Sequence, residues 1–192
     1  MIAIIKYNGG NVNSVQNALE RLNVDSIITD DFELIRNADK VIFPGVGEAS
    51  STMKLLKEKG LDQLIPTLQQ PVLGICLGMQ LMCKNNEEGN TVGMGIFDIN
   101  VKKFPPKDLV PHMGWNTISD FKSYLFSEIK NENDVYFVHS FYCELSENTT
   151  SVCDYILPFS ASLQKENFFA MQFHPEKSGR IGSELLNKFL KM

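Results

Sequence analysis

Three observations predict an α/β fold with a mostly parallel central sheet, helices on both faces and an added antiparallel hairpin region. In the first half, short apolar runs alternate with amphipathic helical patterns, the order expected of βαβ units. The runs are apolar at successive positions, as in strands covered on both faces. In the second half the βα alternation gives way to a succession of strands and hairpins.

Ile2 to Ile5 is the first buried strand, and Tyr7-Asn8-Gly9-Gly10-Asn11 supplies turn residues and a helix start. Val12, Val15, Leu19 and Leu22 then recur at steps of three and four, giving one apolar face, with Asn17, Glu20 and Arg21 elsewhere on the cylinder. A short strand over Ser26 to Thr29, a short helix over Phe32 to Arg36 and a third strand over Val41 to Phe43, ending at Pro44, complete βαβαβ. Pro44-Gly45-Val46-Gly47 follows, then a helix beginning among Glu48 to Ser51 and carrying Met53, Leu55 and Leu56. Val72 to Ile75 is the fourth strand. Beyond it, Gly95 to Phe104, Met113 to Ile118, Val135 to Leu145, Ser151 to Ile156 and Ala161 to Phe173 read as strands and hairpins. A closing amphipathic helix carries Ile181, Leu185, Leu186, Phe189 and Leu190. Proline and glycine are scattered, with no linker or repeat between the halves, so residues 1–192 are expected to form one domain.

Composition narrows the function classes. The 43% hydrophobic and 21% charged fractions are those of an ordinary globular protein, and no apolar run approaches the ~18 residues of a membrane span. The apolar start, Met1 to Lys6, lacks a basic leader and a cleavage site, so a cytoplasmic protein away from membranes is expected. A net charge of −5 argues against a nucleic-acid surface. Cys76, Cys83, Cys143 and Cys153 show neither C-x-x-C pairing nor a histidine at zinc-ligand spacing, so no metal, cofactor or disulfide framework is expected.

Gly74-Ile75-Cys76-Leu77-Gly78 carries the first chemical signal. Cys76 falls on the turn between the fourth strand and a helix running from Leu77, with glycines at i−2 and i+2, the spacing of a nucleophile elbow. At the first turn of a helix the sulfur lies near unpaired N–H groups and the positive end of the dipole, which favour thiolate. Taken alone, the stretch fits a nucleophile or a buried structural thiol equally well. A cysteine nucleophile needs a base, and the sequence holds only His112, His139 and His174. His174 ends an apolar run, is held extended by Pro175, and has Glu176 at i+2, where it would point to the same side and fix the imidazole tautomer. An isolated His-Pro-Glu favours a strand-end histidine beside a solvated glutamate; its coincidence with the cysteine elbow reverses that preference toward a Cys76–His174–Glu176 triad. The glycines of Pro44–Gly47 are either tight-turn residues or donors of backbone N–H groups to an oxyanion, together with the N–H of Leu77.

Three segments in order, Pro44-Gly45-Val46-Gly47, Gly74-Ile75-Cys76-Leu77-Gly78-Met79-Gln80 and Gln172-Phe173-His174-Pro175-Glu176-Lys177-Ser178, resemble the class I (triad) glutamine amidotransferases over almost the whole chain. The resemblance implies their flavodoxin-like fold and release of ammonia from glutamine through a cysteine thioester. It implies an oxyanion hole from Leu77, Val46 and Gly47, and glutamine-binding roles for Gln80, Glu88, His139 and Ser140. Pro-Gly-Val-Gly, Pro111-His112-Met113-Gly114-Trp115-Asn116 and Tyr136-Phe137-Val138-His139-Ser140 are similar to the branch serving imidazole glycerol phosphate synthase. That likeness implies a (β/α)-barrel cyclase subunit as partner, with Trp115, Lys177 and His112 at the interface. Lys6-Tyr7-Asn8 stands where Asp-Tyr-Gly is usual, and Phe141 where a tyrosine is usual. Service to another synthase, or a redox-sensing thiol on the same fold, are the alternative readings.

Overall fold

The structure is a computed structural model and describes residues 1–7, 11–129 and 133–192. Residues 8–10 of the expected first turn, and with them the Asn8 departure, lie outside the described residues.

The first half alternates as expected. Strands β1 (Ile2–Ile5), β2 (Ser26–Thr29), β3 (Lys40–Gly45) and β4 (Val72–Cys76) are separated by helices α1 (Val12–Arg21), α2 (Phe32–Arg36), α3 (Ala49–Lys59) and α4 (Leu61–Leu64). After α5 (Leu77–Met82) come β5 (Cys83–Asn86), β6 (Thr91–Val92), β7 (Phe97–Lys103), β8 (His112–Ser119) and β9 (Asn133–His139). The chain continues through β10 (Phe141–Cys143), β11 (Thr149–Asp154), β12 (Pro158–Lys165) and β13 (Phe168–Met171) to α6 (Gly179–Leu190). Two local expectations shift. β3 does not stop at Pro44, because Gly45 pairs across to Cys76. α5 is only six residues long, since Cys83 leaves it to begin β5, a strand with no distinct signal in the sequence.

Nine strands form the main sheet in the order β2-β1-β3-β4-β13-β12-β11-β8-β9. The β2-to-β13 pairings are all parallel. From β13 outward they are antiparallel, so the hairpins continue the same sheet instead of standing apart from it. A smaller sheet, β10-β7-β5-β6, lies beside it. The last strand, β13, returns beside β4 with Met171 opposite Ile75, which carries Gln172, Phe173 and His174 to the end of β4 where Cys76 stands.

Side-chain alternation divides the core between the two faces. Ala3, Ile5, Val41, Phe43 and Val72 pack with α2 to α5, whereas Ile2, Ile4, Ile42, Leu73 and Ile75 pack with Val15, Ala18 and Leu19 of α1 and Leu185, Leu186 and Phe189 of α6. Both faces are therefore dry, which is why the parallel strands read as unbroken apolar runs. Each fully buried Leu, Ile or Phe contributes about 1.5–3 kcal/mol relative to an exposed one. α3 starts where Glu48 accepts from the N–H groups of Ser50 and Ser51 at 2.9 and 2.8 Å. These bonds, that from Ser51 first, draw the Glu48 carboxyl down to about 2. Among the described residues, no helix is long and apolar enough to cross a membrane.

Candidate active site

Cys76 stands at the carboxyl end of β4, the edge at which open α/β sheets place ligands. Its φ of 53° and ψ of −110° are those of a strained turn that lifts the side chain out of the strand direction. The flanking glycines are required by packing. A Cβ on Gly78 would lie 2.1 Å from the Phe43 carbonyl oxygen, and one on Gly45 would lie 2.4 Å from the Gly78 nitrogen. α5 therefore starts in direct backbone contact with β3, and the Leu77 N–H is one of its opening N–H groups with no acceptor a turn earlier.

His174 and Glu176 are side by side, with His174 Nδ1 2.7 Å from Glu176 Oε1 and both side chains 1% exposed. The pairing differs in detail from the expected extended i, i+2 arrangement. His174 is extended, but Pro175 to Lys177 form a 3₁₀ turn, so Glu176 reaches back to the imidazole from a turn. Asn11 Nδ2 donates to the same Oε1 at 3.1 Å and fixes the carboxylate from α1. With Nδ1–H donated to Glu176, Nε2 is the nitrogen left for chemistry; it is buried and makes no hydrogen bond. Burial opposes charge on this ring, yet negative charge at the Cys76 sulfur and on the Glu176 carboxylate outweighs it and raises His174 to about 9.

A pocket of about 440 Å³ opens over these groups. Its lining brings together Cys76, His174, Leu77, Val46, Gly47, Gln80, Glu88, His139 and Ser140, every residue expected at the site except Glu176, which lies behind His174. Glu88 is held by the Ala49 N–H at 2.8 Å, and burial raises its carboxyl, with Glu48 adding to the rise. Tyr7 ties down the Pro44–Gly47 loop. Its hydroxyl donates to the Pro44 carbonyl at 2.6 Å, and burial pushes the phenol up.

His139 reaches the pocket with both ring nitrogens occupied. Nδ1 is 2.7 Å from the Phe141 carbonyl, which makes it the donor and Nε2 the acceptor. His112 Nδ1 then donates to that Nε2 at 2.9 Å, and His112 Nε2 accepts from Asn116 at 3.2 Å. Both rings are neutral: burial lowers His112 to about 4, and burial, with the charges of His112 and His174, lowers His139 to about 3. His112 is 4% exposed and stacks on Tyr155, so it floors the interface expected of it while Trp115 forms the outer wall. Leu109, Met113 and Trp115, 80%, 65% and 57% exposed, make this neighbouring groove apolar. Trp115 lies edge-on to Tyr136, and the exposed Lys177 ammonium stands 5.9 Å over the same ring, so the two remaining interface candidates share one patch.

Tyr7, Asn11, Asn116 and Gln172 join the site without a separate role expected from the sequence. Only Gln172 carried a usable signal, as a polar residue inside the apolar run Phe168–Phe173; a residue so placed is buried and must find partners.

The family model for glutamine amidotransferase class-I matches residues 4–192. The imidazole glycerol phosphate synthase subunit HisH of Bacteroides fragilis strain YCH46 is 58% identical, covering 100% of this chain and 99% of its own length. The HisH subunit of Pasteurella multocida strain Pm70 is 44% identical over 99% of this chain and 97% of its own. Among solved structures, a glutamine amidotransferase superposes with a TM-score of 0.75 at 18% identity, covering 100% of this chain and 98% of its own. Another, from Thermotoga maritima, gives 0.67 at 16% identity, covering 99% and 82%. These two speak to the fold.

Proposed function

The chain belongs to the class-I glutamine amidotransferase family, and from that premise we propose that it is the glutaminase subunit of imidazole glycerol phosphate synthase in histidine biosynthesis. Residues 1–192 act as one domain. The observation that carries the chemistry is the strained cysteine of the elbow facing the free nitrogen of an imidazole whose other nitrogen is held by a buried carboxylate.

Cys76, as thiolate, attacks the side-chain amide of glutamine. His174 delivers its proton from Nε2 to the departing ammonia, then takes one from the water that opens the γ-glutamyl thioester, while Glu176 keeps Nδ1 protonated throughout. The Leu77 N–H, joined by the Val46–Gly47 loop, receives the oxyanion. Gln80, Glu88, His139 and Ser140 line the side of the pocket that takes the amino-acid end; His139 contributes through its backbone, both ring nitrogens being engaged.

The ammonia serves a partner subunit. In this reading that subunit is a (β/α)-barrel cyclase. It docks over the apolar groove at Trp115 and turns the phosphoribulosyl formimino aminoimidazole carboxamide ribonucleotide into imidazole glycerol phosphate and an aminoimidazole carboxamide ribotide. Ammonia release from glutamine is the test, measured with the chain alone and with a co-expressed cyclase. Turnover should rise with the partner and fall to background in Cys76→Ala; full activity in Cys76→Ala overturns the proposal.

A further inference from the structure

Cys76 Sγ has two further polar neighbours of opposite character. The Val138 carbonyl oxygen, at 3.9 Å, can only accept, and so suits the thiol. The Gln172 side-chain amide, at 3.7 Å, can present either a donor or an acceptor, depending on which way the amide is turned. Its orientation follows from groups farther away. The Phe141 carbonyl is a pure acceptor, so Gln80, 3.0 Å from it, must present Nε2–H there. That same Nε2 lies 3.0 Å from Gln172 and donates to Oε1, while Gln80 Oε1 accepts from Asn86 at 3.3 Å. With Oε1 of Gln172 thus occupied, its Nε2–H faces the sulfur.

We propose that Gln172 is a thiolate-stabilising residue, its side-chain N–H held on Cys76 Sγ by Gln80, which the Phe141 carbonyl locks in place. Every member of the chain is constrained. Gln172 is fully buried, Gln80 is 4% exposed, and the register of β13 against β4 brings Gln172 alongside Cys76. Away from water a donor aimed at an anion is stronger than one aimed at a neutral atom, so this contact favours thiolate over thiol. Gln172 also meets the sulfur from the strand after which His174 follows, so one segment supplies both a neutral donor and the base. Gln80 is a positioning residue in this respect, acting on the sulfur only through Gln172.

The inference rests on Cys76 being the nucleophile, but its test reads the thiol directly, independently of glutamine turnover. The full chain is alkylated with iodoacetamide at pH 7 and pH 10, and the modified cysteine is located by peptide mapping. Cys76, 7% exposed against at most 1% for Cys83, Cys143 and Cys153, is the site that should react. Gln172→Met should slow Cys76 alkylation about tenfold at pH 7, the scale of one charge-assisted hydrogen bond, and leave the rate at pH 10 equal to that of the unaltered chain. Gln172→Glu should slow it further. Gln80→Glu should behave like Gln172→Met, because a carboxylate cannot donate to Phe141 or Gln172. An unchanged rate at pH 7, or an equal loss at both pH values, overturns the proposal. In the unaltered chain, the Gln172 side-chain ¹⁵N–¹H resonance should move in step with thiolate absorbance near 240 nm, and a static resonance overturns it as well.

Discussion

Three histidines share the carboxyl end of the sheet and hold their protons in opposite senses. His174 is raised to about 9 and therefore contributes stability that is fully present below about 6.5 and lost as pH rises through 9. His112 and His139 are lowered to about 4 and 3, so their contribution is present above about 6.5 and lost as pH falls below it toward 3. The melting temperature should therefore peak near pH 6.5. His112→Gln should flatten the acid side of that profile, and Cys76→Ser, which removes a group that raises His174, should flatten the alkaline side. Calorimetry from pH 4 to 10 tests both, at about 2–4 °C per kcal/mol for a chain of this size. At this scale the proposed triad was legible because its signals are local in the chain: glycines two residues either side of Cys76, and Glu176 two residues after His174. The engagement of His139 by His112, and of Gln172 by Gln80, was not, because each depends on contacts between residues far apart in sequence, such as His112 opposite His139.

α5 and β3 touch backbone to backbone, and that contact sets where the nucleophile stands. Gly78→Ala would put a methyl group 2.1 Å from the Phe43 oxygen, so strand and helix must separate. The expected cost is about 1–3 kcal/mol, read as a lower urea midpoint at unchanged slope, together with loss of glutaminase activity as Cys76 shifts. Gly95→Ala offers the contrast: nothing lies within 4 Å of the added Cβ, and only its φ of +69° opposes the change. Glutaminase activity should survive there. Elements with a repeating apolar face or a buried run were legible, among them α1, α6 and β1 to β4. β5 and β6 were not, since Cys83-Lys84-Asn85-Asn86 has neither alternation nor an apolar run and is a strand only because β7 lies beside it. Likewise, nothing in residues 95–173 announced that the hairpins would extend the parallel sheet; the return of β13 to β4 joins them.

For the molecule as a whole, the catalytic pocket and the apolar groove are neighbours that share Pro111 and are separated by the His112–His139 pair. Large exposed aromatics dominate the energetics of many interfaces, so Trp115→Ala should weaken association with the proposed cyclase partner at least tenfold. The rate of Cys76 alkylation in the isolated chain should stay unchanged, since Trp115 touches neither the sulfur nor Gln172. Titration of a labelled cyclase reads the first, and peptide mapping the second.

The arrangement of the two buried imidazoles also bears on what leaves the pocket. Ammonia is a stronger base than imidazole, and an acid of sufficient strength there would turn it into ammonium, a strongly hydrated cation whose lone pair is no longer free to attack. His139 is neutral near pH 7, keeps its single ring N–H in a hydrogen bond to the Phe141 carbonyl and holds its other nitrogen against His112, so it is not an acid toward ammonia. In the proposed reaction it is His174 that supplies one, and that proton completes the ammonia molecule. On the proposed mechanism the nitrogen therefore departs uncharged, in the form that a carbon electrophile can use.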